Sequence, residues 1–191
     1  MPEPINKLIL QNYSTYKRVR FEKKVIESET IILAAKKSNI NFKLGTSFVR
    51  SSVISDLELI IEADRINVKS YGFKLKAASI SEKPFFRFDA AGCTHNNHSP
   101  LTPLPLRQIK TPHFQYYDEL GYNTAYQTES LKDPKIITEL ETDINKGIGL
   151  FCEESVIFTV LNGYPNIDRE PGLIFKTEEI DPLINVKFDE P

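Results

Sequence analysis

Tyr71-Gly72-Phe73-Lys74-Leu75-Lys76-Ala77 places apolar side chains at every second position, with Gly72, Lys74 and Lys76 between them. That period of two belongs to a strand with one face in a core and one in water. Outward from it the same texture recurs. Ile40, Phe42 and Leu44 alternate with Asn41 and Lys43, and residues 30–35 and 53–61 are further strand candidates. Residues 85–89 follow Pro84 and run into the turn-prone Ala90-Ala91-Gly92, where Gly92 supplies a backbone conformation barred to other residues. Short polar breaks between successive strands predict an antiparallel meander. Residues 113–118 and 122–128, with a turn at Glu119-Leu120-Gly121, add a strand pair.

One main helix is expected after Asp133-Pro134, an N-cap followed by a residue suited to the first helical position. Ile136, Leu140, Ile144 and Ile148 then recur every four residues, an apolar stripe that ends or kinks at Gly147 and Gly149. Residues 156–161 form one more buried element, and 183–188 a short strand inside an acidic C-terminal extension, 162–191. The fold class predicted is α+β: an antiparallel, twisted sheet of six to eight strands with one main C-terminal helix packed on it, all within one domain, 1–191.

The chain has 191 residues, 40% of them hydrophobic and 26% charged, with a formal net charge of −2. That size suffices for a core without disulfides or a structural metal, and the charge argues against a nucleic-acid binder driven by overall basicity. The start Met1-Pro2-Glu3-Pro4-Ile5 has no signal-peptide pattern, and the apolar runs are strand-length. A cytoplasmic protein with no membrane partner is therefore expected, with Cys93 and Cys152 as free thiols. Lys17-Arg18-Val19-Arg20-Phe21-Glu22-Lys23-Lys24 reads as a strand whose charged residues share a solvated face.

Chemistry concentrates between Arg87 and Tyr126, where all three histidines lie. Asn96, Asn97, Pro100, Pro103, Pro105 and Pro112 mark residues 93–112 as a long Pro-rich loop, a length at which loops are functional or disordered. Three readings compete. His95 and His113 form an acid–base pair, with Arg87 and Lys110 holding an anion and Tyr116 or Tyr117 adding a hydrogen bond. Alternatively, Cys93, His95, His98 and His113 bind zinc, although the spacing Cys-x-His-x2-His matches no standard site, so no metal or cofactor is expected. In the third reading the histidines pin the loop to the sheet through backbone groups. Arg87 and Asp89, two apart on a strand, share a face and pair with neighbours across the sheet.

The block from Arg87 to Tyr126 resembles a small family of bacterial and prophage-encoded proteins of unassigned activity. Its core runs Arg-x-Asp-x-x-Gly-x-x-His, a proline-containing spacer, Pro-His-x-His-x-Tyr, then an aromatic strand and a helix. Arg87, Asp89, Gly92, His95, Asn96, Pro112, His113, Tyr116 or Tyr117, and Tyr126 match, over a region spanning residues 56–157. Gln115 stands where the family has its second histidine, and the spacer between His98 and Pro112 is longer. The resemblance implies a role in conflict between phage and host. Two functions follow as expectations. The first is a small metal-independent phosphodiesterase or ribonuclease-like toxin acting on RNA or a nucleotide, with His95, His113, Arg87 and Tyr117 catalytic and Lys110, Asn96 and Tyr116 binding. The second is a non-catalytic anti-defence or regulatory protein that engages a protein or nucleotide through the long loop.

Overall fold

A computed structural model describes residues 5–36 and 39–169. The alternating segment at 71–77 is central. Strands β1 (Lys24–Ile26), β2 (Thr30–Ile32), β3 (Ala34–Lys36), β4 (Asn39–Arg50) and β5 (Glu58–Asp64) precede β6 (Tyr71–Lys76). After it come β7 (Phe86–Asp89), β8 (His95–Asn96), β9 (Gln108–Ile109), β10 (His113–Tyr117), β11 (Asn123–Tyr126), β12 (Ile157–Thr159) and β13 (Asn166–Asp168). Helices α1 (Lys7–Gln11) and α2 (Tyr13–Phe21) open the chain, and α3 (Pro134–Thr142) and α4 (Ile144–Ser155) follow β11.

The main sheet runs β11-β10-β7-β6-β5-β4-β1-β12, with β3 also paired to β4. From β11 to β1 every pairing is antiparallel, as the meander predicts. The sheet as a whole is mixed, however, because β12 returns from α4 to lie parallel to β1, and β13 lies parallel to β2. Such pairings join segments far apart in sequence, and three-residue strands carry too little alternation to announce them.

The helices also depart from expectation. Residues 13–21 are helical, not extended: Tyr16 and Val19, three apart, are buried while Lys17, Arg18 and Phe21 face water. The buried Lys24 ammonium fixes the end of α2 by donating to the carbonyls of Val19 (2.7 Å), Arg20 (3.2 Å) and Glu22 (2.8 Å). This satisfies acceptors that a helix C-terminus leaves open. The expected main helix is two helices, because Asp143 turns the chain to extended backbone and caps α4 with its carboxylate on Asn145 N (2.8 Å). The break does not fall at the glycines: α4 continues to Ser155, and Gly147 is needed because its Cα lies under the Tyr71 ring, where a Cβ would sit 2.7 Å from Tyr71 Oη. The strand expected at 53–61 starts late, at Glu58, and that expected at 183–188 lies outside the described residues.

One face of the sheet meets α3 and α4 through aromatic rings. Phe73 and Phe86 each lie 5.5 Å from Phe151 of α4, and Phe88 lies 5.1 Å from Phe114. All five are fully or almost fully buried, so truncating any one would cost roughly 3–5 kcal/mol. The other face carries Glu62, Lys74, Arg87 and Gln115 in neighbouring register. Among the described residues no helix is long and apolar enough to cross a membrane.

Candidate functional site

Alternation divides β10 between two environments. Phe114 and Tyr116 point to the aromatic side, whereas His113, Gln115 and Tyr117 share the other face. Antiparallel register sets His113 opposite Asp89 and Gln115 opposite Arg87, and on the other side Gln115 opposite Ala125 and Tyr117 opposite Asn123. Side chains of one face thus converge from three strands.

His113 is 2% exposed and both of its ring nitrogens are engaged. Nδ1 lies 3.3 Å from the carbonyl of Lys110, which can only accept, so this nitrogen carries the proton. Nε2 is then a lone pair 3.7 Å from Asp89 Oδ2, an unfavourable facing of two acceptors. Gln115 resolves it: its amide nitrogen donates to His113 Nε2 (3.0 Å) and to Asp89 Oδ2. One primary amide supplies two N–H groups here, which a histidine at position 115 could not. Gln115 Oε1 accepts from Asn123 Nδ2 (3.0 Å), and Arg87 Nη2 holds Asp89 at 3.1 and 3.2 Å. Burial pushes the His113 imidazolium below its ordinary range, and this outweighs the nearby Asp89 carboxylate, which pulls the other way.

His95 comes from the 93–112 segment, whose ring centroid lies 5.8 Å from that of His113. This segment is not a bare loop, since β8 and β9 pair as a small hairpin and a 3-10 turn spans Leu104–Leu106. It covers the outer edge of β11 with side chains. His95 Nε2 is 3.4 Å from Asn123 O, while the buried Asn97 donates to Ala125 O (2.9 Å) and accepts from Ala125 N (2.6 Å). An amide pairing with both backbone groups of one residue imitates a neighbouring strand and closes the edge to other chains. Asn97 also donates to Leu106 O (2.7 Å), and buried Ser99 donates to Asp118, whose other oxygen organises the β10–β11 turn through Leu120 N and Tyr122 N. The segment is therefore fixed from both ends. On it Leu101, Leu104 and Leu106 stand 53%, 74% and 52% exposed.

The structure thus unites His95, His113, Arg87 and, farther along the same face, buried Tyr117. Lys110 enters through its carbonyl, with its side chain exposed, and Asn96 is exposed beside His95. Tyr116 lies on the opposite face. There the Arg20 guanidinium sits 4.4 Å from the Tyr116 ring and donates to Tyr126 Oη (3.1 Å), which donates to Glu154 (2.6 Å). Above these rings is a pocket of about 300 Å³, lined by Tyr13, Tyr116, Tyr126, Leu101, Leu106 and Glu119 among others. Sequence reading missed this pocket, because no local pattern brings Tyr13 of α2 beside residues around 101–126. Cys93 and His98 are exposed, and among the described residues no three His, Cys, Asp or Glu side chains are placed to hold a metal ion.

Compared with known proteins, the chain matches no family model, no curated protein and no solved structure.

Proposed function

We propose that this is a non-catalytic binding protein that engages a protein partner through the 101–106 loop. The observation that carries the reading is the display of Leu101, Leu104 and Leu106 to solvent on a segment already locked by Asn97 and Ser99. Large apolar side chains gathered on one exposed loop are what a binding surface offers a partner. Burying each leucine contributes on the order of 1.5–3 kcal/mol, and a loop ordered in advance loses little entropy on binding. By the resemblance of residues 87–126, the partner is a host or phage protein and the role is anti-defence or regulatory. The competing reading, a phosphodiesterase or ribonuclease-like enzyme, draws on the 5.8 Å between the His95 and His113 rings. It is the weaker of the two, because an acid–base histidine needs a nitrogen open to substrate, and those of His113 face Lys110 O and Gln115.

The test is photocrosslinking in the cells that produce the protein. A crosslinking residue at Leu104 should yield a discrete adduct that a Leu101→Ser/Leu106→Ser background removes. The same residue at Ile66, 84% exposed on the β5–β6 turn, should not yield it. Equal patterns at the two positions would end the proposal.

A further inference from the structure

We infer that the tyrosine pocket receives an arginine side chain of the partner, its guanidinium between tyrosine rings and Glu119 and its aliphatic stem along Leu101 and Leu106. This rests on the binding reading and names the chemistry of the group that enters. Tyr116 and Tyr126 stand nearly perpendicular, at 82° with centroids 5.4 Å apart, and form two walls of a corner. Tyr13, half-buried on α2, contributes a third aromatic surface. Aromatic faces carry negative potential and attract cations, guanidinium most readily because it is planar and weakly hydrated.

Charge at the pocket points the same way. Among the described residues no lysine, arginine or histidine lines it, whereas Asp118 and Glu119 do. Asp118 is committed to Ser99 and the β10–β11 turn, but the exposed Glu119 carboxylate makes no hydrogen bond or ion pair among the described residues. It is free to form the two-pronged contact that a guanidinium offers. Arg20 does not fill this role from within. It lies against two of the pocket's rings, Tyr116 at 4.4 Å and Tyr126 at 5.8 Å, and its charge is coupled through Tyr126 Oη to the Glu154 carboxylate.

The experiment titrates the full chain with n-butylguanidinium chloride and, separately, with n-butylurea, its neutral planar isostere, at constant ionic strength. The readout is the ring resonances of Tyr13, Tyr116 and Tyr126. Butylguanidinium should bind about three- to tenfold more tightly than butylurea. Glu119→Gln, a change at an exposed side chain, should narrow that difference to the share due to the tyrosine rings, with the melting temperature in place. Equal affinities in the unmodified protein would overturn the inference, as would a preference undiminished by Glu119→Gln or tyrosine resonances that move with neither probe. A Leu104 adduct alongside any of these failures would leave the binding reading standing. Loss of the adduct would strike that reading instead.

Discussion

The two faces of β10 differ in what they leave over. On the side of His113, the donors and acceptors of His113 and Gln115 meet partners inside the molecule: Lys110 O, Asp89 and Asn123. On the side of Tyr116, rings line an open pocket, a carboxylate at its rim has no partner among the described residues, and three leucines face water on the loop above. The histidine side carries the residue types associated with catalysis, and the other carries ordinary core and loop residues. A polar network whose members bond one another rigidifies the fold, even with buried Arg87 Nε left without a partner among the described residues, whereas exposed groups held rigidly are available to a second molecule.

The comparison depends most heavily on the segment that joins the two faces. Asn97 makes three side-chain hydrogen bonds of 2.6–2.9 Å to Leu106 and Ala125. Asn97→Ala should cost about 3 kcal/mol, near 1 kcal/mol for each bond, in urea unfolding. A cost below about 1 kcal/mol would mean the loop is held by something else, and its leucines could not be described as preorganised.

A smaller effect separates structure from catalysis on the histidine face. The unfolded chain takes up a proton on His113 near pH 6.5, while the folded protein resists it because of burial. Below that pH the unfolded state binds more protons, so stability is full above pH 6.5 and falls as the solution is acidified below it. The melting temperature should follow this slope, and the slope should flatten in His113→Gln. A slope unchanged by the substitution would assign it to another group and weaken the closed-network description.

The smallest effect is expected on the open side. Leu101→Ser and Leu104→Ser replace side chains that are 53% and 74% exposed, and should change stability by no more than about 0.5 kcal/mol. A loss of several kcal/mol would show that the leucines support the fold and would remove them from the binding surface.

How much of this was legible in the sequence depended on period and length. The alternation at 71–77 identified β6, and the parity of residues 113–117 already separates Tyr116 from His113 and Tyr117. Parity cannot say which face is the core. The basic run 17–24 misled because Arg18, Arg20, Glu22 and Lys24 alternate as a strand would, while the buried pair Tyr16 and Val19 obeys the helical spacing. The stripe from Ile136 to Ile148 crosses a real break, since Asp143 caps a second helix without interrupting the apolar order. Histidine clustering located a network but could not reveal that Gln115 closes it, because that depends on the cross-strand register with Asp89 and Arg87. The pocket joins Tyr13 to residues around 101–126, a juxtaposition no local pattern encodes.

The central claim, that the histidine face is scaffold and the loop binds, is tested most directly by His113→Ala, with urea unfolding and the Leu104 crosslink measured on the same preparation. The account predicts a loss of roughly 1–3 kcal/mol, from removing the acceptor of one Gln115 N–H inside the sheet face, with the adduct retained below the unfolding transition. Unchanged stability together with loss of biological effect would contradict it and return His113 to the role of a catalytic group.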